Sequence, residues 1–157
     1  MTIRIAPCGP GDLSRMTDLW VEAWAQAYPA IDFSARRGWF AGRIADMAGA
    51  GTVVLLALRD DDLAGFVTVD PATGWIDQML VGLAHQGTGA ADALMAAARG
   101  LRPAGLSLDV NADNARAIAF YRRQGFATTG RRVNEQGRAV DLMAWRPPQP
   151  PAAPSPT

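Results

Sequence analysis

Lysine is missing from the chain altogether, and its 157 residues include one cysteine and one histidine. A solitary Cys8 cannot build a disulfide framework, and no Cys-x-x-Cys pair offers a zinc site. Every basic residue is an arginine, and fifteen of them are balanced by fifteen acidic residues. That neutrality leaves no electrostatic footprint for nucleic acid or for an anionic membrane, so neither is expected as a partner. No apolar run approaches the length of a membrane span, and the amino terminus lacks a charged-then-apolar leader pattern. The expectation is a cytoplasmic protein. The acidic triplet Asp60-Asp61-Asp62 fits no Ca²⁺-loop spacing and reads as a solvated turn, so no metal is expected.

What is present is ordinary for a globule: 49% apolar and 19% charged residues. A chain of this length reads as one domain that buries roughly two thirds of its unfolded surface. The stretch around which the rest is arranged runs from Trp75 to Leu101. It begins as a strand through Ile76, Met79, Leu80 and Val81, then passes through Gln86-Gly87-Thr88-Gly89-Ala90-Ala91 into an alanine-rich helix. Such a helix starts with backbone N–H groups that have no partner and with a partial positive charge. Small residues there let a bulky anion approach, which makes the turn a candidate phosphate or pyrophosphate site. With no Gly-Lys-Ser/Thr it is not a P-loop, and Asp92 stands where a dinucleotide fingerprint needs a small residue.

A second stretch, Leu106 to Gly130, gives an alternating strand and then a helix capped by Asp113 or Asn114 and closed at Gly125. Asn114 and Tyr121 lie two helical turns apart and share a face. Elsewhere the pattern predicts a first strand over 2–6 and a helix from Asp12 or Ser14 with Trp20 and Trp24 inward. A second helix over 34–48 should carry Trp39, Phe40, Ile44 and Met47 inward. Strand pairs are expected over 53–58 with 63–69, and over 126–133 with 139–145. From Pro147 the composition is rich in proline, alanine and serine, and a disordered tail over 147–157 is expected.

The two central stretches together resemble the signature motifs of the GCN5-related N-acetyltransferase (GNAT) superfamily. Gln86, Gly89 and Ala91 match its Gln/Arg-x-x-Gly-x-Gly/Ala loop. Asn114, Ala117, Phe120, Tyr121, Gly125 and Phe126 match Asn-x-x-Ala-x-x-Phe-Tyr-x-x-x-Gly-Phe. The resemblance extends more weakly over residues 2–146, and Leu83 departs from it where the family often has proline. It implies an α/β (α+β) fold with a mixed, mostly antiparallel sheet of about seven strands. That sheet would splay between strands 4 and 5, with helices on both faces, in a single N-acetyltransferase domain over 1–146.

The implied cosubstrate is acetyl-CoA, and the implied activity is transfer of its acetyl group to an amine, with a small-molecule acceptor expected. By resemblance the pyrophosphate sits on the donors of Gly87, Thr88, Gly89, Ala90 and Ala91, flanked by Gln86, while the pantetheine arm pairs with Met79, Leu80 and Val81. Asn114 then bonds the arm, or serves only as a helix cap. Tyr121 acts as general acid toward the departing thiolate, with Phe120 in the core. For the base, Asp77 stands first, with Glu135 and Asp109 as alternatives, and His85 reads as an exposed loop residue. Trp24, Tyr28 and Trp39 line the acceptor side or belong to the core. Two other readings stay open: a non-catalytic acyl-CoA-binding module of the same fold, and a nucleotide-binding α/β protein. Homodimer formation is left open as well.

Overall fold

In the computed structural model, residues 2–148 are described. The proline-rich stretch expected as a tail falls almost entirely outside them. The chain runs β1 (Ile3–Pro7), α1 (Leu13–Ala27), α2 (Arg37–Gly49), β2 (Val53–Arg59), β3 (Asp62–Val69) and β4 (Ile76–Val81). It continues with α3 (Ala90–Leu101), β5 (Leu106–Asn111), α4 (Ala115–Arg123), β6 (Ala127–Val133) and β7 (Ala139–Trp145). The helix expected over 34–48 begins instead as a 3₁₀ turn, Phe33–Arg36, because the Asp32 carboxylate accepts from the N–H groups of Ser34 and Ala35 and tightens that entry.

Seven strands form two antiparallel sheets, ordered β1-β2-β3-β4 and β5-β7-β6. The β2–β3 hairpin turns on Asp60 and Asp61, both with positive φ, as a two-residue type I′ connection requires. One parallel bridge, Trp75 with Ser107, joins the sheets, and the Ser107 N–H donates to the Gly74 carbonyl at 2.9 Å. Beyond that point β4 and β5 part. The outer edge of Met79–Val81 therefore faces a gap where a neighbouring strand would lie.

Hydrophobic burial fixes the layers on either side of that gap. Met16 and Trp20 of α1 with Phe40 and Ile44 of α2 pack over one face of the first sheet, against Leu56, Leu58 and Phe66. Leu94, Met95 and Ala98 of α3 pack on the other face, in one core with Leu106, Leu108, Ile118, Tyr121 and Met143 of the second sheet and α4. That shared core holds the sheets together at the bottom of the gap, at about 25 cal/mol per Å² of apolar surface removed from water.

Two expected core positions are corrected here. Trp39 is not inward: it is 56% exposed. Phe40 and Ile44, four residues apart, take the buried line of α2, and Trp39 falls about 100° round the helix from Phe40. Its ring leans on Trp20 at 5.9 Å and lies beneath the Arg43 guanidinium. Phe120 is half-buried, because on α4 it is Ile118 and Tyr121 that face the core.

Candidate active site

The strand β4 leaves the first sheet at Val81 and makes a 3₁₀ turn, Leu83–His85, where the family often places proline. The turn Gln86–Gly89 follows. Gly87 (φ 77°) and Gly89 (φ 89°) both occupy the left-handed region that other residues avoid. Gly89 is the N-cap of α3 and supplies no side-chain acceptor, so the first-turn N–H groups of this helix stay uncapped. A Cβ built on Gly87 or Gly89 meets nothing within 4 Å. The Thr88 hydroxyl donates back to the His85 carbonyl at 2.5 Å and ties the turn to the strand exit.

This turn opens into a cleft of about 840 Å³ that occupies the gap between the sheets. Met79, Leu80 and Val81 line one side, with Gln86, Gly87, Gly89, Ala90 and Ala91 at the end. Asn114, Ala117, Phe120 and Tyr121 line the opposite side from α4, and Trp24 and Tyr28 close the space from α1. Residues expected from two separated motifs and from α1 thus meet around one space. Thr88 stands in the same turn but is not among the lining residues. Among the others, Asp109 is paired with Arg132 on the second sheet, and Glu135 is exposed in the β6–β7 turn. Neither of these lines the cleft, and Trp39 does not either.

Asn114 caps α4, its side-chain oxygen accepting from the Ala117 N–H at 3.1 Å, while it also lines the cleft. Tyr121 is 8% exposed, packed beside Phe120 and Phe126. Burial pushes its phenol up to about 12. Among the described residues no group hydrogen-bonds the hydroxyl. A neutral phenol with a free O–H is therefore held at the wall of the cleft. At the far end, the Asn111 amide donates to the Tyr28 hydroxyl at 2.9 Å, bridging α1 and β5 across the gap. Tyr28 stacks on Trp24, and the Arg138 guanidinium sits 4.8 Å above its ring.

Asp77 lies elsewhere than a base in the cleft would. Arg43 of α2 grips it through Nε at 2.8 Å and through Nη2, and the Gln78 amide adds a third bond. Burial alone would push this carboxyl up, but Arg43, Gln78 and Trp75 together outweigh it and hold Asp77 below the usual carboxylate range. A carboxylate so held is a weak proton acceptor.

Of the lining residues that sequence reasoning missed, three carry basic side chains. Arg116 and Arg123 of α4 face the cleft mouth, and their seven-residue spacing, two turns on one face, was a signal that could have found them. His85 also lines it, and its Nδ1 is the single fully buried side-chain polar atom without a partner among the described residues. Nothing in the local sequence marks that atom.

The residues present fit an acyl-CoA. Uncapped N–H donors behind two glycines suit a pyrophosphate, and an unpaired strand edge suits an amide-bearing arm. The class defined by this fold and cleft is an acyl-CoA-dependent transferase. The acetyltransferase (GNAT) family model matches residues 13–126, and the chain belongs to that family. No curated protein sequence matches it.

Solved structures share the fold. PaiA N-acetyltransferase from Thermoplasma acidophilum, solved with coenzyme A, is 16% identical and covers 93% of this chain and 99% of its own, with a TM-score of 0.73. The ribosomal-protein-S18-alanine N-acetyltransferase of Escherichia coli is 21% identical over 99% of each chain, with a TM-score of 0.70. A structure from Bacillus anthracis str. Ames, solved with acetyl coenzyme A, is 18% identical over 61% of this chain and 62% of its own, with a TM-score of 0.57. Among the described residues, no helix is long and apolar enough to cross a membrane, and no group of three His, Cys, Asp or Glu side chains could hold a metal.

Proposed function

We propose that the protein is an N-acetyltransferase moving the acetyl group of acetyl-CoA directly to the amine of a small molecule. The observation that carries this reading is that the uncapped start of α3 and Tyr121 line the same cleft. The N–H groups from Gly87 to Ala91 bind the pyrophosphate, with Gln86 beside them and Arg116 and Arg123 adding positive charge at the mouth. The edge of Met79–Val81 orients the pantetheine arm, and Asn114 meets it from α4.

Acetyl-CoA supplies an activated acyl carbon with a thiolate leaving group. The Tyr121 phenol donates its proton to the departing sulfur, a role for which burial keeps it neutral. Trp24 and Tyr28 place the acceptor at the other end of the cleft. Asp77, held by Arg43, supports the strand and is not assigned the role of base. The carboxylates that line the cleft, Asp92 and Asp113, are both exposed, and the proton of the amine leaves through solvent beside them.

The test is a panel of small primary amines, each scored for release of free CoA from acetyl-CoA. Release that requires an amine and saturates with it is expected. Binding of acetyl-CoA without release on any amine would instead establish a non-catalytic acyl-CoA-binding module.

A further inference from the structure

Cross-strand register between β3 and β4 breaks at one place. Val67 faces Met79 and Val69 faces Ile76, so Thr68 alone stands opposite both Asp77 and Gln78. Two residues against one is a β-bulge, which bends the longer strand, sharpens its twist and leaves a backbone group without its ladder partner. Here that group is the Gln78 N–H, and it donates to the Thr68 hydroxyl at 2.9 Å. Thr68 is 0% exposed, a buried polar residue that pairs with Val54 of β2. A valine would fill the same space with apolar atoms, so packing alone does not call for the hydroxyl. What the hydroxyl does is satisfy the amide that the bulge orphans.

The bulge lies just past the bridge of Trp75 with Ser107 and just before Met79, the first residue of β4 to line the cleft. A bend at that position turns β4 away from β5. We propose that Thr68 is a positioning residue: its hydroxyl locks the bulge in β4 and so aims Met79–Val81, the edge that orients the acyl donor, at the reacting end of the cleft. Thr68 touches neither substrate, and it acts through the strand. The proposal rests on the acetyltransferase reading above. Asp77, the other residue of the bulge, is held through Arg43 of α2, so two separate contacts converge on two adjacent residues of the strand.

The test compares the wild-type chain with Thr68→Val, which keeps the shape and deletes the acceptor, and Thr68→Ser, which keeps the acceptor. Binding of CoA is measured by calorimetry, consumption of acetyl-CoA by thiol release, and the Gln78 amide by hydrogen exchange. In Thr68→Val the Gln78 amide should exchange at least about tenfold faster, and the maximal rate of acetyl-CoA consumption should fall at least about tenfold. CoA affinity should fall by clearly less than the rate, since the 86–91 turn that holds the pyrophosphate is untouched, and Thr68→Ser should restore both the exchange and the rate. Unchanged Gln78 exchange in Thr68→Val overturns the proposal, as does faster exchange with an unchanged maximal rate. Equal loss of CoA affinity and rate, unrescued by serine, also overturns it, because that pattern marks a general folding defect. Should Thr68→Val not fold, Thr68→Ala is read in the same way, with serine as the rescue. If the wild-type chain binds neither CoA nor acetyl-CoA, the function itself has failed, and the positioning role falls with it.

Discussion

At the scale of single residues, the proposed chemistry rests on Tyr121. A phenol pushed to about 12 stays protonated in the native protein well above the ordinary tyrosine value of about 10. Between those values the unfolded chain has lost the proton while the folded chain keeps it. Stability contributed by the buried neutral phenol is thus complete below about pH 10 and is lost as pH rises toward 12. Urea unfolding at about pH 9 and about pH 11 should show the wild type losing on the order of 1 kcal/mol more than Tyr121→Phe. Equal slopes would contradict the burial argument. The same variant tests the acid role, because it keeps the ring and removes only the donor. With an acceptor whose chemical step limits the rate, turnover should fall by roughly 10²-fold or more while CoA affinity holds. Normal turnover would reduce the tyrosine to scaffold.

Among elements, the link between α2 and β4 shows where local pattern stops being informative. The glycine turn at 86–91 and the final hairpin were legible because each is decided by neighbouring residues: left-handed φ at Gly87 and Gly89, alternation over Ala139–Trp145. Which face of α2 is buried depends on what α1 presents, and so Trp39 was misplaced beside the correctly placed Phe40 and Ile44. Phe120 and Tyr121 are adjacent on α4, and only the position of the gap between the sheets decides which is more deeply buried. Asp77 presents a carboxylate on the central strand, but its partner Arg43 lies 34 positions earlier, and no spacing rule joins them. The Thr68–Gln78 contact depends on a one-residue slip in register, which alternation of side chains does not reveal. Asp77→Asn should therefore destabilise the fold by about 1–2 kcal/mol, discounting the half-exposed arginine. Thermal or urea unfolding checks this. The pH profile of acetyl transfer should keep its shape in that variant; loss of its ascending limb would return Asp77 to the role of base.

For the molecule as a whole, two sheets joined at one end and parted at the other make a cleft whose walls come from three separate stretches of the chain, 23–28, 79–92 and 113–123. The shared core beneath keeps the parting fixed, and the turn into α3 sits at its open end. The family resemblance read from two short motifs implied this architecture, and Trp24 and Tyr28 were expected at the proposed acceptor end, while the contacts of Tyr28 with Asn111 and Arg138 emerged only from the packing. The central claim is that acetyl-CoA seats its pyrophosphate on that turn. Calorimetric titration of acetyl-CoA into the wild type and into Gly89→Val tests it most directly, because a side chain there would enter the space the anion needs. Gly137→Val is the control: it has the same left-handed strain, φ 78°, and open surroundings, but lies in the β6–β7 turn and not in the 86–91 turn. Hydrogen bonds to charged groups are worth about 1.5–3 kcal/mol each, so Gly89→Val should weaken binding at least roughly tenfold, with Gly137→Val unchanged. Wild-type affinity in a folded Gly89→Val protein would contradict the account.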